Sequence, residues 1–405
     1  VAALQGLWGV GAILALALLL STNRRAISVR VVASALLLQA GLAALCLYAP
    51  AGRDALASAS QGVQAVIGYA NAGIAMVFGP LQSDVGFSFA IGVLPIIIFF
   101  SALMSVLYHV GVMQLVIAWG GGALRFLLGV GKEDSMVAAA NVFVGQTEAP
   151  LVIKPFIPHI TRPQLFAILT SGMASVSGSV LAAYAQMGIK IDYLLAASFM
   201  SAPGGLLMAK IIMPDERNAP HEARDGVVNT RPHASVITAA AAGAMDGLKL
   251  AAAIGAMLIA FVSLIALVNG ALGWVGGYFG QPALSMQYVL GFVFAPVMYL
   301  LNVPWSEAQA VGGVFGQKLI LNEFVAYLEL AKIQETLSPR AQAIATFALC
   351  GFANLSSIAI LMGAMQSLAP ERTPDVAKYG FHVVAAASLS NLMSAALAGI
   401  FLTLA

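Results

Sequence analysis

Long apolar runs separated by short polar breaks set the pattern of this chain. A bilayer crossing takes about 20 apolar residues, and runs near that length fall at 1–21, 31–49, 88–118, 164–187, 192–213, 236–268, 342–366 and 380–404, which predicts eight transmembrane helices. The first run has no basic residue before it and Arg24 and Arg25 after it, the reverse of a signal peptide, so it reads as a span. Residues 51–84 mix Gly52, Arg53, Asp54 and scattered Ser, Gln and Asn with apolar positions, the pattern of a helix lying along the interface. The run 288–301, stopped by Asn302 and Pro304, is too short to cross.

One stretch breaks the pattern. Residues 141–158 read NVFVGQTEAPLVIKPFIP, with Asn141, Gln146, Thr147 and Glu148 close together and Pro150, Pro155 and Pro158 following. The apolar flanks, 135–144 and 149–157, are each about half the length of a span. They predict a re-entrant hairpin over about 135–157 that turns at Gly145. Glu148 at mid-membrane costs roughly 2.5 to 3.5 kcal/mol on insertion scales, so it should line a polar cavity. A broken helix pair with polar groups at its tip marks a carrier's binding site.

An internal repeat organises the rest. NVFVGQTE from Asn141 is echoed by GVFGQKLILNE from Gly313, setting Glu148 against Glu323, 175 residues apart. SGMASVSGS from Ser171 is echoed by CGFANLSSI from Cys350, setting Gly172 against Gly351 at 179, and AASFMS from Ala196 by AASLSN from Ala386 at 190. Each copy holds three spans and a hairpin, the second hairpin over about 306–332. An odd number of spans gives the copies opposite topology, the inverted repeat of an alternating-access carrier. The expected units are scaffold helices with an interfacial helix at 1–87, a first repeat at 88–213, a cytoplasmic linker at 214–235 and a second repeat at 236–405.

Composition agrees. With 405 residues, 60% hydrophobic and only 9% charged, the fold class is all-α polytopic membrane protein. The net charge of +2 comes from scattered basic residues with no basic patch, which argues against nucleic acid as a partner. Cys46 and Cys350 both fall in apolar spans and read as buried free thiols, with no disulfide or metal framework. Alternating the spans collects most Lys and Arg, from Arg24 to Lys378, on one side, with only Arg53, Lys190, Lys332 and Arg340 opposite. By the positive-inside rule the first side is cytoplasmic and both termini lie outside.

Four polar patches converge under the repeat: Gln146, Thr147 and Glu148; Ser175 and Ser177; Asn322 and Glu323; Asn354, Ser356 and Ser357. Hydroxyls, amides and two acids suit a neutral, polyhydroxylated heterocycle, and the lack of an Arg or Lys cluster disfavours phosphates. Each group also has a structural reading. Ser177, Ser179 and Ser356 could serve helix packing. The glutamates could form an ion pair with Lys318, Asp246 and Lys249 a local pair at i, i+3, and His109 a satisfied interior histidine.

GQTEAP from Gly145, NEFVAY from Asn322 and GFANLSSI from Gly351 together resemble the concentrative nucleoside transporter family, particularly its sodium-coupled bacterial members, over essentially the whole chain. The resemblance implies eight spans and two hairpins, assembled as a homotrimer around the first, second and sixth spans, with a mobile transport domain. It implies that Gln146, Thr147 and Glu148 meet the base of a nucleoside such as uridine, cytidine or adenosine. Val180 and Phe352 would wall that base, while Glu323, Asn354 and Ser357 would hold the ribose. Sodium, the co-transported ligand with no other cofactor, would sit between the first hairpin tip and an unwound fourth span. Its ligands would be the side chains of Asn141 and Ser175 and the carbonyls of Asn141, Val144, Ser175 and Val176. The short amino-terminal extent points to a bacterial inner membrane. The expected activity is sodium-coupled nucleoside symport into the cell. The alternatives are proton coupling through Glu323, a non-transporting gate module, and an intramembrane enzyme using Glu148 and Glu323 as acid and base. The enzyme reading lacks a Ser/His/Asp set, metal ligands or a phosphate loop.

Overall fold

The computed structural model describes residues 2–79, 81, 88–215 and 233–404. The linker expected at 214–235 lies outside the described residues except at its ends, as do the last residues of the interfacial segment 51–84. Every regular element described is helical. The amino-terminal part is α1 (Ala2–Leu19), α2 (Val29–Leu47) and the 29-residue α3 (Pro50–Phe78). A first series follows: α4 (Phe89–Gly92), α5 (Leu94–His109), α6 (Val112–Leu128), α7 (Lys132–Ala140), a 3₁₀ segment (Ala149–Phe156), α8 (Arg162–Ala174), α9 (Gly178–Gln186) and α10 (Ile191–Ile212). The second series is α11 (Val236–Tyr278), α12 (Met286–Leu300), α13 (Trp305–Ile320), α14 (Glu323–Ile333), α15 (Pro339–Leu349), α16 (Leu355–Leu368) and α17 (Thr373–Leu404).

The two series run in the same order: a long helix, a cross helix, two halves of a hairpin, a broken helix and a closing helix. Among the described residues, six helices are long and apolar enough to cross a membrane, or seven if the pair Met286–Leu300 and Trp305–Ile320, bent by 118°, counts as one. The protein is therefore a multi-pass membrane protein. Of the eight expected spans, the run 342–366 is split between α15 and α16, and the apolar part of α1 described as Gln5–Leu19 is short.

Two boundaries depart from the expected ones for identifiable reasons. The third span was expected to run to residue 118, but α5 stops at His109 and Gly111 adopts φ +91°, a left-handed turn that costs a glycine little. The chain then starts α6, which buries Met113, Ile117, Gly121, Leu124 and Leu128 on one face. The sixth span was expected to end at 268, but α11 continues ten residues further without a helix breaker strong enough to stop it. His109, expected to be satisfied, closes α5 with Nδ1 lacking a hydrogen-bond partner. The pair Asp246–Lys249 forms as expected, Nζ 3.2 Å from Oδ1, on an exposed face.

Lipid tails are as apolar as leucine, so helices in a bilayer associate by close packing and polar contacts more than by burial. Gly243 and Gly247 on α11 let α5 approach until a methyl at either position would sit 2.6 Å from the Ser101 carbonyl or 2.7 Å from Ile98 Cα. Helices α8, α10 and α17 are buried on nearly every side, whereas few residues of α2, α5 and α11 are fully buried. The fold is thus an inner bundle carrying both broken helices, flanked by outer helices. Lys210, near the end of α10, ties this bundle together: Nζ lies 2.6 Å from Asp134 of α7 and 2.7 Å from Asp215.

Candidate functional site

The site is built where the two broken helices cross. Helix α8 ends at Ser175, whose extended backbone (φ −117°, ψ 174°) leaves the helical path, and α9 restarts with Ser177 as N-cap, its Oγ accepting from Val180 N at 3.4 Å. In the second series α15 ends at Cys350 and α16 restarts with Asn354 as N-cap, its Oδ1 accepting from Ser357 N at 2.9 Å. Capping side chains satisfy the amide groups that each new helix start leaves unpaired. The caps pair Ser177 with Asn354, two residues away from the register read off Gly172 and Gly351. The glycines do different jobs: Gly172 makes room for Gln146, whose Cβ would lie 3.1 Å from an added methyl, while Gly351 sits inside the break against Asn391.

The breaks are joined directly. Phe352 N donates to the Ser175 carbonyl at 3.1 Å. Asn391 of α17 donates through Nδ2 to the carbonyls of Ala174 at 2.7 Å and Cys350 at 2.9 Å, satisfying carbonyls at the ends of both first halves. Buried backbone groups need such partners.

The hairpin tips close over this crossing. The entering half of the first hairpin was expected to reach residue 144 but ends at Ala140, so residues 141–148 form an extended tip before the 3₁₀ return. The second tip is only Leu321 and Asn322 between α13 and α14. The first tip rests on the first break, with Gly178 N donating to the Phe143 carbonyl at 2.9 Å. It reaches the second series through Gln146 Nε2, which donates to Ser357 Oγ at 3.2 Å.

Glu323 is 4% exposed, and both its carboxylate oxygens are occupied: Oε1 accepts from Tyr184 OH at 3.1 Å and Oε2 from Asn354 Nδ2 at 3.0 Å. Ser356 Oγ donates to Asn354 Oδ1 at 2.7 Å, so Ser177 and Ser356 take the structural roles that short polar residues favour at helix starts. No ion pair joins either glutamate to Lys318; its ammonium donates to Asn391 and the Ala348 carbonyl instead. Glu148 faces the cavity with no ion-pair partner among the described residues.

All eight expected substrate residues line one cavity of about 900 Å³: Gln146, Thr147, Glu148, Val180, Glu323, Phe352, Asn354 and Ser357. The cavity also borders Tyr108 and Gln114 from α5 and the α6 start, which the sequence did not single out, and Asp246 of α11, which the sequence had read only as the partner of Lys249. Of the four expected sodium residues, Val144 lines the cavity, and Asn141, Ser175 and Val176 are buried beside it in sequence and at the break. Asn141 is 1% exposed with neither Oδ1 nor Nδ2 partnered, a costly state unless something fills it. Ser175 Oγ donates to the Ser171 carbonyl at 3.2 Å, which leaves its lone pairs free for a cation. These groups fit a monovalent cation.

Residues 193–399 match the family described as Na+ dependent nucleoside transporter C-terminus, residues 8–81 its N-terminus counterpart, and residues 90–190 a domain described as nucleoside recognition. An uncharacterized transporter of Haemophilus influenzae is 51% identical over 410 residues, covering 99% of this chain and 98% of that protein. The nucleoside permease NupC of Helicobacter pylori is 46% identical over 408 residues, covering 98% and 97%.

The chain belongs to the concentrative nucleoside transporter family.

Solved structures of this transporter family agree with the fold. CNTnw in an inward-facing substrate-bound state superposes with a TM-score of 0.95 at 50% identity, covering 100% of this chain and 99% of that one. A variant of the same protein in an outward-facing state gives 0.96, again at 50% identity with 100% and 99% covered. The likeness to both states is what an alternating-access carrier of nearly rigid parts produces. As a concentrative nucleoside transporter the chain is a carrier and not an enzyme.

Proposed function

We propose that the protein carries nucleosides into a bacterial cell together with sodium, binding the nucleoside between the two tips and the two broken helices. The observation that carries this reading is the pairing of Glu323 with neutral donors only, Tyr184 OH and Asn354 Nδ2, at the wall of a cavity that also holds Gln146 and Glu148. An ionised carboxylate accepts from ribose hydroxyls, while Gln146, Thr147 and Glu148 offer donors and acceptors to a base edge. Val180 and Phe352 supply apolar walls for the ring. The donors around Glu323 suit its ionised form, since a protonated acid there would need an acceptor; sodium coupling is favoured over proton coupling on that ground.

Sodium would be held by Asn141 and Ser175 with the carbonyls of Asn141, Val144, Ser175 and Val176. Neutral oxygens from an unwound helix suit a hard monovalent ion. The same tip that presents Asn141 presents Gln146 and Glu148, so ion binding orders the groups that meet the base, giving sodium and nucleoside a shared preferred state. One sodium moving down about 100 mV supplies roughly 2.3 kcal/mol, and a tenfold gradient adds about 1.4, enough for accumulation of several hundredfold. The cytoplasmic face is the one carrying Arg24, Lys132, Lys210 and Arg372, the termini lie outside, and the assembly is a homotrimer in the inner membrane.

The test is uptake of labelled uridine into proteoliposomes under a sodium gradient, with potassium alone and a proton gradient alone as comparisons. Saturable uptake that needs sodium, with a sharply raised sodium requirement in Asn141→Ala, is expected. Uptake driven by protons alone would remove the sodium assignment, and no uptake of any nucleoside would remove the substrate.

A further inference from the structure

Lys318 takes no part in the proposed binding site, yet it is fully buried near the end of α13. Its ammonium donates to the Ala348 carbonyl at 2.8 Å and to Asn391 Oδ1 at 2.7 Å, and among the described residues no carboxylate lies within ion-pair distance of it. A buried ammonium is ordinarily paired with an acid. Here its partners are neutral oxygens, the donor set that suits a transported monovalent cation. The Ala348 carbonyl belongs to the last turn of α15, where a helix presents partial negative charge.

The repeat places this arrangement opposite the proposed sodium site. In both series a cation would stand at the carboxyl end of the first half of a broken helix: α8 ending at Ser175, α15 ending at Cys350. Asn391 bonds carbonyls of both ends, so the two positions share one side chain. The first series has no lysine of its own to fill its end. Helix α7 closes on Ala138–Ala140, the residue matching Asn391 in the third repeat pair is Ser201, and Asn141 is left buried with an unpartnered amide.

We propose that the Lys318 ammonium is a resident cation, permanently filling in the second repeat the place that sodium occupies reversibly in the first. The inference rests on the sodium reading above. It makes the carrier a one-sodium device, because the symmetry-related place is already taken. It also makes Lys318 a positioning residue, holding the second break through Ala348 and Asn391 without touching substrate.

The experiment uses the whole chain in proteoliposomes. Reversal potentials with uridine should give one sodium per nucleoside. Lys318→Ala removes the charge and leaves room for an ion, so the Hill coefficient for sodium should rise from about 1 to roughly 2, and ethylammonium should restore part of the uptake. Lys318→Met fills the space without charge, and should lose most uptake at every sodium concentration while still giving a cooperative melting transition. Two sodium ions per nucleoside in the unmodified protein, or Lys318→Met transporting with unchanged sodium dependence, would overturn the proposal and leave the symport reading standing. Uptake indifferent to sodium in the unmodified protein would instead remove the symport reading and, with it, the exchangeable half of the pair.

Discussion

Glu323 concentrates the chemistry of the site in one carboxylate, because both its oxygens are already oriented by Tyr184 and Asn354 before any ligand arrives. Replacing it by glutamine keeps the size but turns one acceptor into a donor aimed at another donor. Hydrogen bonds to charged groups contribute about 1.5 to 3 kcal/mol, so Glu323→Gln should weaken uridine binding roughly ten- to hundredfold, read by calorimetry at saturating sodium, with the protein's melting temperature little changed. At this scale much was legible in the sequence: Gln146, Glu148, Glu323 and Asn354 stand out as polar groups in apolar surroundings. Tyr184 and Asn391 did not, because a tyrosine or asparagine inside a buried helix looks like packing until its distant partner is known. The one available signal was Asn391 itself, a lone amide within the apolar run 380–404.

Among the elements, the residues at the breaks, Ser175, Ser177, Gly351 and Asn354, were visible as polar patches. But 342–366 was read as one span, the unwinding of the fourth span came only from the resemblance, and the register of the breaks was not legible. Caps decide where a helix restarts, and the sequence match had been anchored on glycines that serve unrelated contacts. The cross helices α6 and α12 were missed in part because an amphipathic helix of this length is too short to register as a span and too apolar to register as a loop. The triad at the base of the first hairpin carries a prediction at this scale. Lys210 and Asp134 are both almost fully buried, so removing the cation leaves two carboxylates together with one of them in the interior. Breaking a buried pair from one side costs about 3 to 5 kcal/mol. Lys210→Met should therefore lower the melting temperature in detergent markedly, whereas Lys249→Met, at the exposed pair with Asp246, should leave it unchanged.

For the whole molecule, the repeat was readable because three short matches kept their order. What escaped was the unequal length of the tips, 141–148 against 321–322, since no pattern of hydrophobicity reports how many residues a turn needs. The structure brings Thr22 to the Ile212 carbonyl at 2.8 Å and Arg372 to the Ile160 carbonyl at 2.8 Å, so several of the basic segments meet at shared contacts. Single cysteines introduced at Arg24 and at Gly280, in a background lacking Cys46 and Cys350, should label differently in intact cells. A membrane-impermeant thiol reagent should reach Gly280→Cys and spare Arg24→Cys; the reverse result would invert the orientation.

The size of the central cavity has a consequence of a different kind. At about 900 Å³ it can hold on the order of 30 water molecules, each occupying about 30 Å³. A form that closes around one small ligand must move most of that water out and draw it back on the other face. The cycle is then hydraulic as well as ionic, and solutes too large to enter favour the emptied form by drawing on the same water.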